Sequence, residues 1–210
     1  MFQLQLQVQT IHPEKGITSS RAWQSKSFVK NFLHLLYGNL ITGTYVYPID
    51  TGGTPRNNSS SYQTYNLLKC PQVFGGSRVY TYYDSREKFG EDVGIQVGDG
   101  VAANTALTYT LHQKIDHGVG TGELQYSGGF FGEPIIDGAD TYFDIERIFR
   151  NASGGSIVIK EYSIVVLWGD YSGNCYPILI VRDVFTEEVD WVTVANSEYL
   201  KITYRLLVTV

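Results

Sequence analysis

The sequence predicts an all-β fold: a mainly antiparallel β-sandwich, jelly-roll-like, carrying one N-terminal α-helix. Three observations predict it. From Val93 onward, short strand-like runs follow one another at spacings of roughly ten residues or a little more, as in sandwiches and jelly rolls. Both ends of the chain alternate apolar and polar residues with period two, the pattern of strands with one buried face. Strands do not alternate with helices, which argues against a parallel α/β sheet.

The first element is the run from Phe2 to Val8. Phe2, Leu4, Leu6 and Val8 fall on one side, and Gln3, Gln5, Gln7 and Gln9 on the other. The polar side carries no charge, whereas exposed edges are commonly protected by charge. The run therefore reads either as an ordinary outer strand or as a strand that pairs with a neighbouring subunit. The helix is expected next, near residues 20–37. Thr18, Ser19 and Ser20 offer N-cap hydroxyls. From Trp23 to Tyr37, Phe28, Phe32 and Leu35/Leu36 recur at helical spacing, and Val29 and Leu33 widen the stripe. Gly38 can end the helix in the left-handed conformation.

Residues 41–92 read as loop-rich. The run from Thr51 to Ser61 is loop by composition, Tyr80 to Tyr83 fits a short strand, and Asp84 to Asp92 looks solvated. Beyond them, Val93 to Val97 is a strand closed by Gly98-Asp99-Gly100. A strand is also expected over Thr108–Ile115, and another at Leu124–Tyr126. Thr141–Phe149 and Ser156–Leu167 are two β-rich runs. Asn151-Ala-Ser-Gly-Gly155 lies between them, and its Asn and Gly tolerate the positive φ of tight turns, so the pair reads as a β-hairpin. Pro177 to Phe185 is nearly all apolar, as a strand buried on both faces is. In the last run Leu200, Ile202, Tyr204, Leu206 and Val208 are expected to face inward. The organisation is one domain overall: residues 1–40 as an N-terminal strand and helix acting as an assembly arm, 41–92 as the loop-rich segment, and 93–210 as the sandwich core.

Composition limits the function classes. With 210 residues and 43% hydrophobic residues the chain can bury one sizeable core. Its net charge is −5 and no stretch concentrates Lys and Arg, so binding of nucleic acid by a basic face is disfavoured. No apolar run approaches the ~20 residues of a membrane-spanning helix, and the first residues lack the pattern of a signal peptide. Cys70 and Cys175 lie in no C-x-x-C pair and are either buried thiols or a disulfide.

No motif carries catalytic chemistry well. Asp50-Thr-Gly-Gly53 suggests an aspartic protease, but that reaction needs two carboxylates sharing a proton, and one copy supplies one; a turn is the better account. Gly98-Asp99-Gly100 lacks the rest of a phosphate-binding loop. His112, Asp116 and His117 are metal-capable, yet the odd separation of the histidines would put them on opposite sides of a strand. No cofactor is expected. The tyrosines Tyr80, Tyr82 and Tyr83 offer contact area with a hydroxyl, which suits a ligand surface as well as half-buried strands.

Several phrases together resemble one family of uncharacterised virion structural proteins of tailed bacteriophages. They are Ser27-Phe-Val-Lys-Asn-Phe32, Asp50-Thr-Gly-Gly53, Gly94-Ile-Gln-Val-Gly-Asp-Gly100, Leu111-His-Gln-Lys-Ile115 with His117-Gly118, Gly122-Glu-Leu-Gln-Tyr126, Phe149 to Glu161, and Arg182-Asp183. Gly98-Asp99-Gly100 stands where the family usually has Gly-Thr-Gly, and Tyr162-Ser163 replaces the usual Gly-Leu. The resemblance implies a non-enzymatic building block of the virion, a head-decoration or neck/tail accessory protein. Its partners would be copies of itself and other virion proteins, with no nucleic acid and no membrane. Assembly contacts are expected at Phe2, Leu4, Leu6, Val8, Phe28, Phe32 and Leu36. The alternative is a carbohydrate- or receptor-binding β-sandwich of the adsorption apparatus, holding a glycan at Tyr80, Tyr82 and Tyr83.

Overall fold

The computed structural model describes residues 2–25, 27–40, 47–56, 91–169 and 175–209. Their elements are β1 (Phe2–His12), β2 (Gly16–Ser25), α1 (Lys30–Leu40), β3 (Gly94–Gly98), β4 (Gln125–Phe131), β5 (Ile135–Asp137), β6 (Asp140–Arg150), β7 (Ile157–Ile159), β8 (Glu161–Gly169), β9 (Cys175–Val184), β10 (Val192–Val194) and β11 (Tyr199–Thr209). The larger sheet has the order β2-β1-β11-β6-β4, with β5 beside the start of β6; the smaller has the order β3-β8-β9. All these pairings are antiparallel. The fold is therefore the expected antiparallel β-sandwich, with one α-helix among the described residues.

The core lies between the sheets. Leu4, Leu6 and Val8 of β1, Leu200, Ile202 and Tyr204 of β11, and Ile145 and Phe149 of β6 meet Ile95, Val97, Tyr162, Ile164 and Val181. A third layer covers the far side of the smaller sheet, where Val29, just before α1, packs on Val165 and Leu179. Hence every residue of β8 from Glu161 to Trp168 is buried, which explains why that stretch shows no clean alternation.

Among the described elements the chain passes between the sheets four times, and the passages from β6 to β8 and from β9 to β11 correct the expected hairpin. The runs 141–149 and 156–167 do not pair with each other. Both edges of β6 are taken, one by β11 along its whole length and the other by β4 and β5. The chain instead leaves the larger sheet at Asn151, forms β7, and enters β8 in the smaller sheet. The return from β9 to β11 forms β10, and β10 pairs with β7, so these two passages bind each other. Asn151, fully buried, fixes this corner. Its amide donates to the carbonyls of Gly155 and Val194, and its side-chain oxygen accepts from Ser153. Gly154 takes the positive φ that the loop composition implied.

Other expectations also change. Residues 18–25, expected to cap and open the helix, lie instead in β2, which pairs with β1 around the turn at Pro13–Lys15. The helix is shorter and later, and Gly38 lies inside it. The strand expected over Thr108–Ile115 is reduced to two backbone bonds near Lys114, because the amides of His112 and Gln113 bond a carboxylate instead of a neighbouring strand. In β11, Leu200, Ile202 and Tyr204 face inward as expected, but Leu206 is only half-buried and Val208 is exposed, since burial falls off toward the β5–β6 end of the sheet.

Candidate assembly surface and buried polar centres

β1 is an interior strand, not an outer one. It pairs with β11 on one side and β2 on the other. Leu4, Leu6 and Val8 are buried in the chain's own core, and Phe2 stands opposite Val208 in the β1–β11 register. The two grounds for a pairing arm, a free edge and a free apolar face, are thus absent from β1. Residues 2–25 belong to the sandwich itself. Among the described residues the lateral edge strands of the larger sheet are β2 and β4/β5.

The remaining expected contacts divide. Phe28 bridges Val181 at the edge of β9, and its ring lies 4.1 Å from that of Phe32. Both rings are half-buried. Leu36 differs. Helical geometry puts Asn31 and Leu35 on the buried face of α1, and it places Leu33, Leu36 and Tyr37 on the opposite face. These three are exposed, Leu33 at 61%. Asn31 anchors the inner face by donating to the carbonyls of Ile49 and Leu179 and accepting from the Ile49 amide. The outer side of α1 is therefore apolar and exposed, and among the described residues only its inner side is packed. Sequence periodicity had widened the stripe with Leu33 without separating the two faces. A second exposed apolar group, Phe130, Ile135 and Ile136, lies along the β4/β5 edge. Tyr80, Tyr82 and Tyr83 lie outside the described residues.

Two buried polar centres hold the layers together. The first is Glu161, at the start of β8, paired with Arg182 of β9. Arg182 donates to one carboxylate oxygen at 2.6 and 2.9 Å, and both side chains are essentially inaccessible. The carboxylate also accepts the amides of His112 and Gln113, while Arg182 reaches the carbonyl of Ala102. Gly98 and Gly100 close against it. A Cβ on Gly98 would stand 2.4 Å from both the Gln113 carbonyl oxygen and the Glu161 carboxylate. The Gly-Asp-Gly phrase is thus a cradle for a carboxylate, not for a phosphate. Sequence reading quoted Glu161 and Arg182 separately and missed the pair; the available signal was a charge inside each of two apolar strand runs, since buried charges need partners.

The second centre is Asp183, the next residue along β9. Ser25, Ser27 and Tyr204 each donate a hydroxyl to its carboxylate. Burial raises its pKa, and the three hydroxyl bonds only partly oppose that. Elsewhere Arg147 of β6 crosses between the sheets and donates to the carbonyls of Val93 and Ile95, and burial lowers its pKa to about 10.

The sequence motifs resolve as local structure. Asp50 sits in a turn, accepts the Thr54 amide and pairs with Arg56, whose guanidinium stacks on Tyr176. His117 accepts the Tyr126 amide through Nδ1. Among the described residues no group of three His, Cys, Asp or Glu side chains is arranged to hold a metal, and no helix is long and apolar enough to cross a membrane. No protein-family model matches the chain, and neither does any curated protein or solved structure.

Proposed function

We propose that this chain is a non-enzymatic structural component of a tailed-phage virion, a head-decoration or neck/tail accessory protein acting through contacts with copies of itself and other virion proteins. The observation that carries the reading is the uncovered face of α1. Leu33, Leu36 and Tyr37 form an apolar surface on a helix whose other face is already anchored, and clustered exposed apolar residues mark contact sites. The ordered phage-like phrases supply the context. Buried ionisable groups agree with it in kind, since Glu161, Arg182 and Arg147 are each engaged with the chain's own backbone.

The test has two parts. Mass spectrometry of purified particles should find the chain at a fixed copy number; its absence would end the virion reading. Leu33→Asp with Leu36→Asp should then reduce incorporation at least tenfold without changing far-UV circular dichroism. Full incorporation of that variant would move the contact surface elsewhere.

A further inference from the structure

We propose that the exposed face of α1 docks on the β4/β5 edge of a second copy of this chain, so that copies join through two unlike surfaces. This contact presupposes that α1 is a docking surface and assigns what it meets.

Both surfaces are apolar and exposed, and they lie on opposite sides of the sandwich. Leu33, Leu36 and Tyr37 stand out from α1; Phe130, Ile135 and Ile136, the last at 80% exposure, stand out from the β4/β5 edge. The Arg182 amide donates to the Ser27 carbonyl and the Val29 amide to the Ile180 carbonyl, which holds α1 at the outer edge of β9. That edge lies beneath β2, where Ser25 donates to Asp183 and Trp23 packs on Phe185. β4 and β5 flank β6, at the other end of the strand order from β2. Neither surface therefore covers the other within one chain.

Charge selects the unlike pairing. α1 contains Lys30 and no Asp or Glu. Lys30 is exposed and shares a stripe of the helix with Leu33 and Tyr37. The segment from Gln125 to Asp140 contains Glu133, Asp137 and Asp140 and no Lys or Arg. Glu133 and Asp137 are exposed and bracket Ile135 and Ile136. Docking α1 on α1 would oppose lysine to lysine, and β5 on β5 would oppose carboxylates. Docking α1 on β5 sets a lysine against carboxylates around a shared apolar centre.

The form of the edge suits a helix. A bulge between Tyr126 and Gly129 interrupts the pairing of β4 with β6, and Gly132 to Pro134 separate β4 from the short β5. A bulged edge broken by a proline resists the addition of another strand. A helix bonds its own backbone and meets such an edge through side chains. The register presents those side chains on both sides of the edge: Phe130 opposite Glu146 and Ile135 opposite Tyr142 on the outward side, and Ile136 opposite Thr141 on the other.

The test uses the purified full chain. Sedimentation should show association that rises with concentration. Leu33→Asp with Leu36→Asp, and separately Phe130→Asp with Ile136→Asp, should each weaken it by about tenfold or more, because each buries an unpaired carboxylate in the contact. An equimolar mixture of the two double variants should associate more tightly than either alone, since one keeps the edge and the other keeps α1. A photo-crosslinking phenylalanine analogue at Tyr37 should link to residues 130–136 of an isotope-labelled second copy, a readout that does not need the double variants to fold. A wild-type chain that stays monomeric at millimolar concentration overturns the proposal. So does a mixture no tighter than its components, or a Tyr37 link to α1 of the second copy. Loss of the α1 variant from particles, with the edge variant fully retained, also overturns the pairing but leaves α1 as a contact surface for another virion protein. Full incorporation of both variants, with the mixture behaving as expected, instead removes the role of α1 in the particle and leaves the pairing standing.

Discussion

At the scale of single residues, the interior is held by charges that sequence patterning treats as interruptions. Glu161 and Arg182 stand in largely apolar strands, and each charge is balanced by the other. Removing one leaves the other buried and unpaired. Arg182→Met should therefore destabilise the fold by about 3–5 kcal/mol in chemical denaturation. The glycines around the carboxylate are equally constrained. Gly98→Ala forces a methyl against the Gln113 carbonyl and Glu161, and thermal melting should fall clearly below wild type. Asn151 follows the same logic in neutral form. Its amide closes two carbonyls inside the β7–β10 corner, so Asn151→Leu should lower stability more than an exposed substitution such as Thr193→Ser. These are residues that composition marks as turn or surface; burial makes them structural.

At the scale of elements, β1 and β11 show how position in a sheet overrides local pattern. β1 alternates strictly over residues 2–9 and β11 up to Leu206, and the alternation correctly separates Leu4, Leu6 and Val8 from the glutamines, and Leu200, Ile202 and Tyr204 from Lys201 and Arg205. It does not say where along the strand the core ends. Ile202→Ala should cost about 2–5 kcal/mol. Val208→Ala, six residues on, should stay within about 0.5 kcal/mol of wild type because its side chain is already exposed. The same placement governs truncation. Deleting residues 1–17 removes one of the two partners of β11 and strips Leu4, Leu6 and Val8 from the core. The shortened chain should fail to fold cooperatively by urea denaturation, whereas an appended arm would be dispensable.

At the scale of the whole molecule, the strands β6 and β8 are joined by a passage between sheets rather than by a hairpin, and this separates what the sequence determined from what tertiary structure decided. Period-two alternation and β-rich composition are local consequences of a pleated strand with one buried face, so the all-β class and most strand positions after Val93 were legible. The Asn/Ser/Gly loop reads as a hairpin turn; it is a passage between sheets, although Gly154 does take the positive φ its composition implied. Which strands pair was not legible, because a strand's edges carry the same backbone groups whatever its side chains. The occupied edges of β6 therefore turned an expected hairpin into a sheet-to-sheet passage. The segment before α1 failed for a related reason: the helical spacing of Phe28, Phe32 and Leu35/Leu36 was extended back to Trp23, but residues 16–25 pair with β1, and Trp23 packs on Phe185, with ring centroids 4.6 Å apart. The sequence determined which residues prefer burial. Only the packing of the two sheets decided that Glu161, Arg182 and Asp183 would be among them, because pairing a buried charge depends on partners far away in the chain.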